Sequence, residues 1–102
     1  MNINALMQQA QKMQREMEKK QKQLESKEFE FTSNGGAIKV KMLGNKRLVS
    51  LEIDEDLIDP SEKEMLQDML VVALNEAISK IDEEIDEEMG SMTGGLKMPG
   101  MF

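Results

Sequence analysis

The sequence predicts an α+β fold in the order α-β-β-β-α: a three-stranded antiparallel meander flanked by a long N-terminal helix and a long C-terminal helix. Three observations carry this reading. Apolar residues recur at helical spacing over long stretches on either side of the middle. The middle itself, from Glu28 to Ile53, alternates with a period of two. Two turn pairs, Asn34-Gly35 and Gly44-Asn45, cut that alternating stretch into three short pieces.

The first helix is predicted over Asn2–Ser26. Ile3, Leu6, Ala10, Met13, Met17 and Leu24 form a narrow apolar seam, interrupted by Lys20. Gln, Lys, Glu and Met, all good helix formers, fill the rest. At 1.5 Å rise per residue the rod is about 36 Å long. A domain this small cannot cover such a rod, so part of it should project or lie against a partner helix.

Glu28–Thr32 reads as the first strand, with Phe29 and Phe31 on one face. Asn34-Gly35 suits a two-residue type I′ turn, whose central positions both need positive φ. Ala37–Leu43 follows, with Ile38, Val40 and Met42 on one face and Lys39 and Lys41 on the other. Gly44-Asn45 signals a second two-residue turn, and Leu48–Ile53 forms the third strand with Val49, Leu51 and Ile53 directed inward. One face is greasy and the other wet and basic.

Asp59 is the predicted N-cap of the second long helix, with Pro60 at its first position and Glu62 completing a capping-box-like arrangement. Helical spacing then holds from Met65 to Met89, and Gly90 is expected to end the helix. The run "MLQDMLVVALNEA" is apolar over a wide enough arc to pack on two sides. It is expected to rest on the sheet and also to meet a second subunit through Met65, Met69, Leu70 and Ala73. Residues 1–89 form one domain on this reading, and the Gly- and Met-rich residues 90–102 a mobile tail.

Composition narrows the function classes. The 102 residues include no cysteine and no histidine, which removes disulfides, thiol nucleophiles and histidine bases together. No paired carboxylates sit in a pocket-forming pattern, so the chain is not expected to be an enzyme, to bind a cofactor or to take a small-molecule substrate. Met1–Leu24 lacks the apolar core of a signal peptide, and no apolar run approaches the roughly 20 residues needed to span a bilayer. A cytoplasmic protein without a membrane partner is the expectation. The formal net charge is −7, yet residues 1–51 carry 10 Lys+Arg against 5 Asp+Glu, and residues 52–102 carry 3 against 15. Such asymmetry hints at a polyanionic partner for the basic half.

The cations fall into two groups. On the first helix, Lys12, Arg15, Lys19 and Lys22 are spaced 3, 4 and 3 apart and share one flank, with Lys20 beside them. A basic flank on a projecting rod suits phosphates spaced along a duplex. The plainer alternative is a solvated face with Glu16–Lys19 and Glu18–Lys22 pairs. On the sheet, Lys39 and Lys41 adjoin Lys46 and Arg47 at the turn. No aromatics interleave with them, which argues against base stacking, and they read as lysines guarding a strand edge. The run "DEEIDEE" lacks the alternating ligands and central glycine of a calcium loop and reads as a solvated helix end rather than a metal site.

The stretches "MQQAQKMQREM", "NGGAIKVKMLGNKRLVSLEID", "IDPSEKEMLQDMLVVALNEAISK", the acidic continuation and "MTGGLKMPGMF" together resemble the YbaB/EbfC family of bacterial nucleoid-associated DNA-binding proteins. The resemblance covers nearly the whole chain and keeps its element order. It implies a tight homodimer with long helices projecting like tweezer arms, binding duplex DNA in the nucleoid. It also implies DNA contacts among Lys12, Arg15, Lys19, Lys20 and Lys22, and a possible part in regulating gene expression. The competing expectation is a protein–protein adaptor in which the Met13/Met17 stripe receives a partner helix.

Overall fold

The computed structural model describes residues 2–92. Asn2 starts the first helix, its side-chain oxygen accepting from the backbone N–H groups of Asn4 and Ala5. This satisfies two of the donors that a helix start leaves unpaired. The helix, α1, runs over Ile3–Ser26. Three strands follow, β1 (Glu28–Ser33), β2 (Ile38–Leu43) and β3 (Leu48–Ile53). They pair antiparallel in the order β1-β2-β3. The α-β-β-β-α order and the meander are as predicted.

Both hairpin turns are longer than the two residues expected. The register pairs Ser33 with Ile38 and leaves four residues between the strands. The Ala37 N–H donates to the Asn34 carbonyl, so Gly35 and Gly36 hold the central positions, with φ of 67° and 94°. Asn34 also has a positive φ, 53°, as one of the few side chains that tolerate it. In the second turn the Leu43 N–H donates to the Arg47 carbonyl and the Lys46 N–H to the Leu43 carbonyl, each at 2.8 Å. Lys46 closes that loop at φ 71°, the three-residue pattern with a left-handed final residue. The register shifts nearby, between Lys41 and Met42.

Asp59 caps the second helical segment as expected, accepting from the Ser61 backbone at 3.0 Å and from the Ser61 hydroxyl at 2.8 Å. These two bonds favour the charged carboxylate and hold its pKa below the ordinary 3.8, backbone donor first. One 3-10 turn, Pro60–Glu62, leads into helix α2, Lys63–Met92. Gly90 does not end this helix, which continues two residues beyond it. The expected tail therefore begins inside the helix, and its residues 93–102 lie outside the described residues.

The core joins the sheet's greasy face to one stripe of α2. Phe29, Ile38, Val40 and Met42 come from β1 and β2, and Ala73, Ala77 and Ile81 from α2. The two alanines, one turn apart, let the helix approach the strands closely. Leu51 packs against this cluster. Val49, expected beside it, is instead 47% exposed: the register passes from Lys41–Ser50 to Met42–Leu48 and leaves Val49 as the extra, unpaired residue of β3. The lysines of the wet face are not edge guards either, because β2 is the central strand. Lys41 is paired to Glu30 across the β1 register at 3.3 Å, and Lys39 faces Glu52 across β3.

Candidate nucleic-acid interface

The root of α1 is tied down on two sides. Leu24 is buried, and Gly44 of the second hairpin turn lies directly against it. A Cβ on Gly44 would sit 1.8 Å from the Leu24 carbonyl oxygen. The Gly44 N–H donates to the Lys27 carbonyl and the Asn45 N–H to the Glu25 carbonyl, both at 3.0 Å. These bonds partner carbonyls at the helix C-terminus that would otherwise be orphaned. On the other side α2 runs past the sheet and along α1. Lys20 meets Glu88 at 3.2 Å, and Lys46, on the same turn as Gly44, meets Asp82 at 2.6 Å.

Beyond this clamp the helix stands alone. Residues 2–16 are all exposed, and Met17 is the first half-buried residue toward the root. Ile3 is 68% exposed and Leu6 49%, so the predicted seam has no cover over its outer half. The free arm is about 20 Å long at the helical rise.

Lys12, Arg15, Lys19 and Lys22 are exposed along this arm and its root. At 100° per residue they fall within an arc of roughly 80°, on the side turned away from Met17, Lys20 and Leu24. Arg15, Lys19 and Lys22 line one shallow surface groove with Glu18, Gln23 and Ser26. Among the described residues three ion pairs form, and none involves these four cations. The Glu16–Lys19 and Glu18–Lys22 pairs are therefore not made. Of the five residues that the resemblance singled out, four share one unpaired flank. Lys20 is on the other side, half-buried and engaged by Glu88. Of the sheet cations, Lys41 and Lys46 are already paired to carboxylates.

The subunit-contact candidates divide as well. Met65 is 49% exposed. Met69 and Leu70 are half-buried and pack against the core cluster, and Ala73 is 2% exposed inside that cluster. Ala73 therefore serves this chain's own core, not a free surface. Two turns on from Met65 and on the same side, α2 leaves Val72 open at 52% exposed, and Val71, 58% exposed, lies about 100° further round the helix. Their signal was the unbroken run "MLVVAL", apolar all round the helix. No helix among the described residues is long and apolar enough to cross a membrane.

Comparison with known proteins places this geometry. Residues 1–96 match the YbaB/EbfC DNA-binding family. A nucleoid-associated protein of Clostridium novyi (strain NT) is 53% identical over the whole chain, which covers 90% of that protein. Nucleoid-associated proteins of Alkaliphilus metalliredigens and Pelotomaculum thermopropionicum are 48% and 46% identical over 99% of the chain, covering 89% and 96% of theirs. The crystal structure of an uncharacterized protein from Helicobacter pylori superposes with a TM-score of 0.71 at 26% identity, over 92% of this chain and 99% of that one. The fold, the bare basic flank and full-length similarity agree: the chain belongs to the YbaB/EbfC DNA-binding family.

Proposed function

We propose that this protein is a nucleoid-associated DNA-binding protein that grips duplex DNA as a homodimer, laying the outer flank of each α1 arm along the backbone phosphates. The observation that carries this reading is the set of four unpaired cations on one side of a projecting helix. Membership in a family of DNA-binding proteins supports it, as do relatives named nucleoid-associated proteins. Lysine and arginine contacts to phosphate need no base readout, and counterion release supplies the free energy. Two arms on one duplex add avidity without further contacts. Catalysis plays no part in this function.

An overall charge of −7 does not oppose it. Potential is local: at physiological salt it decays over about 8 Å, less than the length of the free arm. The experiment is a titration of fluorescently labelled duplex at several potassium chloride concentrations. With eight cations on two arms, log affinity should fall linearly with log salt, dropping about a thousandfold or more between 50 and 200 mM.

The exposed seam of Ile3, Leu6 and Met13 favours a second reading, an adaptor that offers this stripe to a partner helix. On that reading the same titration shows no duplex binding at any salt.

A further inference from the structure

Lys20 and Glu88 form, among the described residues, the one ion pair that joins the basic helix to the acidic one. Six of the seven residues from Asp82 to Glu88 are acids, and Lys80 is the last cation of α2. The run is pinned near both ends, Asp82 to Lys46 at 2.6 Å and Glu88 to Lys20 at 3.2 Å. Half-exposed ion pairs of this kind add little to stability. What they set is position: the acidic run is held alongside the inner half of α1.

Packed helix axes lie about 8–10 Å apart, comparable with the distance over which salt screens a charge. A phosphate approaching the inner side of α1 near Lys20 therefore meets a field of carboxylates. One approaching Lys12, Arg15, Lys19 and Lys22 has the body of α1 between itself and that field. We infer that the acidic end of α2 is an electrostatic fence: it confines the duplex to the outer flank of α1, and Glu88 holds Lys20 away from DNA. Glu88 is on this account a positioning residue that limits the footprint and keeps binding reversible. The inference rests on the proposed duplex binding by α1.

The test is a set of variants titrated with one labelled 24-base-pair duplex at about 0.1 M salt, each first checked by far-UV circular dichroism to retain the fold. Lys20→Gln alone should change affinity less than about twofold, whereas Lys12→Gln should weaken it at least about fivefold, as expected when one phosphate on each arm is left without its cation. Glu88→Gln frees Lys20 and should tighten binding about fivefold, and adding Lys20→Gln to that background should cancel the gain. Neutralising Glu83, Asp86 and Glu87 together, none of them in an ion pair among the described residues, should also tighten binding. If Lys20→Gln costs the otherwise unmodified protein as much as Lys12→Gln, Lys20 already touches DNA and the fence is refuted. If the unmodified protein binds and neither Glu88→Gln nor the triple variant binds more tightly, the fence alone fails. If the unmodified protein and every variant fail to bind, the fence falls together with the reading beneath it.

Discussion

At the scale of single residues, two positions carry more than their local sequence suggests. Gly44 belongs to a turn, which the Gly44-Asn45 pair announced, but the reason for glycine there is tertiary. A Cβ would lie 1.8 Å from the Leu24 carbonyl and 3.1 Å from the Glu25 Cα, backbone atoms that cannot swing aside. No local window shows an approach from twenty residues upstream. Gly44→Ala should push the turn off the root of α1, break both bonds to the Lys27 and Glu25 carbonyls, and destabilise the fold by about 2–4 kcal/mol, read as a lower urea midpoint. Asp59 gives a prediction in pH. Its carboxyl titrates below the ordinary 3.8 because the folded state hydrogen-bonds the charged form. The resulting stability is present above 3.8 and lost as pH falls through the lower folded value. Asp59→Asn keeps a capping oxygen without the charge. The gap in melting temperature between the two proteins should be open at neutral pH and close on acidification below 3.8. A gap that stays constant down to acid would show that the charge contributes nothing.

At the scale of elements, strong periodicity made the chain legible, and the boundaries show where periodicity stops informing. The α1 seam and the two-period strands were plain in the sequence because side-chain spacing alone determines them. Gly90 misled because glycine in a helix costs only about 1 kcal/mol, and a long preformed helix propagates through it when nothing imposes a left-handed residue. The basic flank was legible as a face. Which of the chain's cations were free was not, because the partners of Lys20 and Lys46 come from α2, more than thirty residues away. Changing Lys12, Arg15, Lys19 and Lys22 together to Gln removes four charges from solvent-facing helix positions where Gln is an equally good helix former. Circular dichroism should be unchanged while duplex affinity drops at least a hundredfold. The slope of log affinity against log salt should become shallower by about 0.9 for each phosphate no longer neutralised. A quadruple variant that binds with the original slope would remove α1 from the interface.

At the scale of the whole molecule, the single chain is thinly closed. Among its described residues only eight hydrophobic side chains are buried, and the molecule extends 72 × 26 × 17 Å. Met65 and Val72 meanwhile stand half-exposed on one side of α2. A chain of about 100 residues buries only some two-thirds of its unfolded surface, so the proposed second copy, seated over this face, would supply cover that the chain does not provide for itself. The sequence marked this helix as apolar on two sides, yet it did not separate them, because only the packed sheet shows which side is already taken. Leu70 and Ala73 lie on that occupied side, so a charge at either damages the core whether or not a dimer exists. Val72 separates the two effects. It is 52% exposed in the single chain, and Val72→Asp leaves the packing against the sheet intact. In a dimer the same change buries an unpaired carboxylate, at a cost of several kcal/mol. The expected result is a folded monomer by sedimentation, with far-UV dichroism preserved and duplex affinity reduced about a hundredfold as the two-armed grip disappears. Val72→Asp sedimenting as a stable dimer would move the subunit interface to another surface, and the exposed edge strand β3, with Leu48 and Val49, is the next face to test.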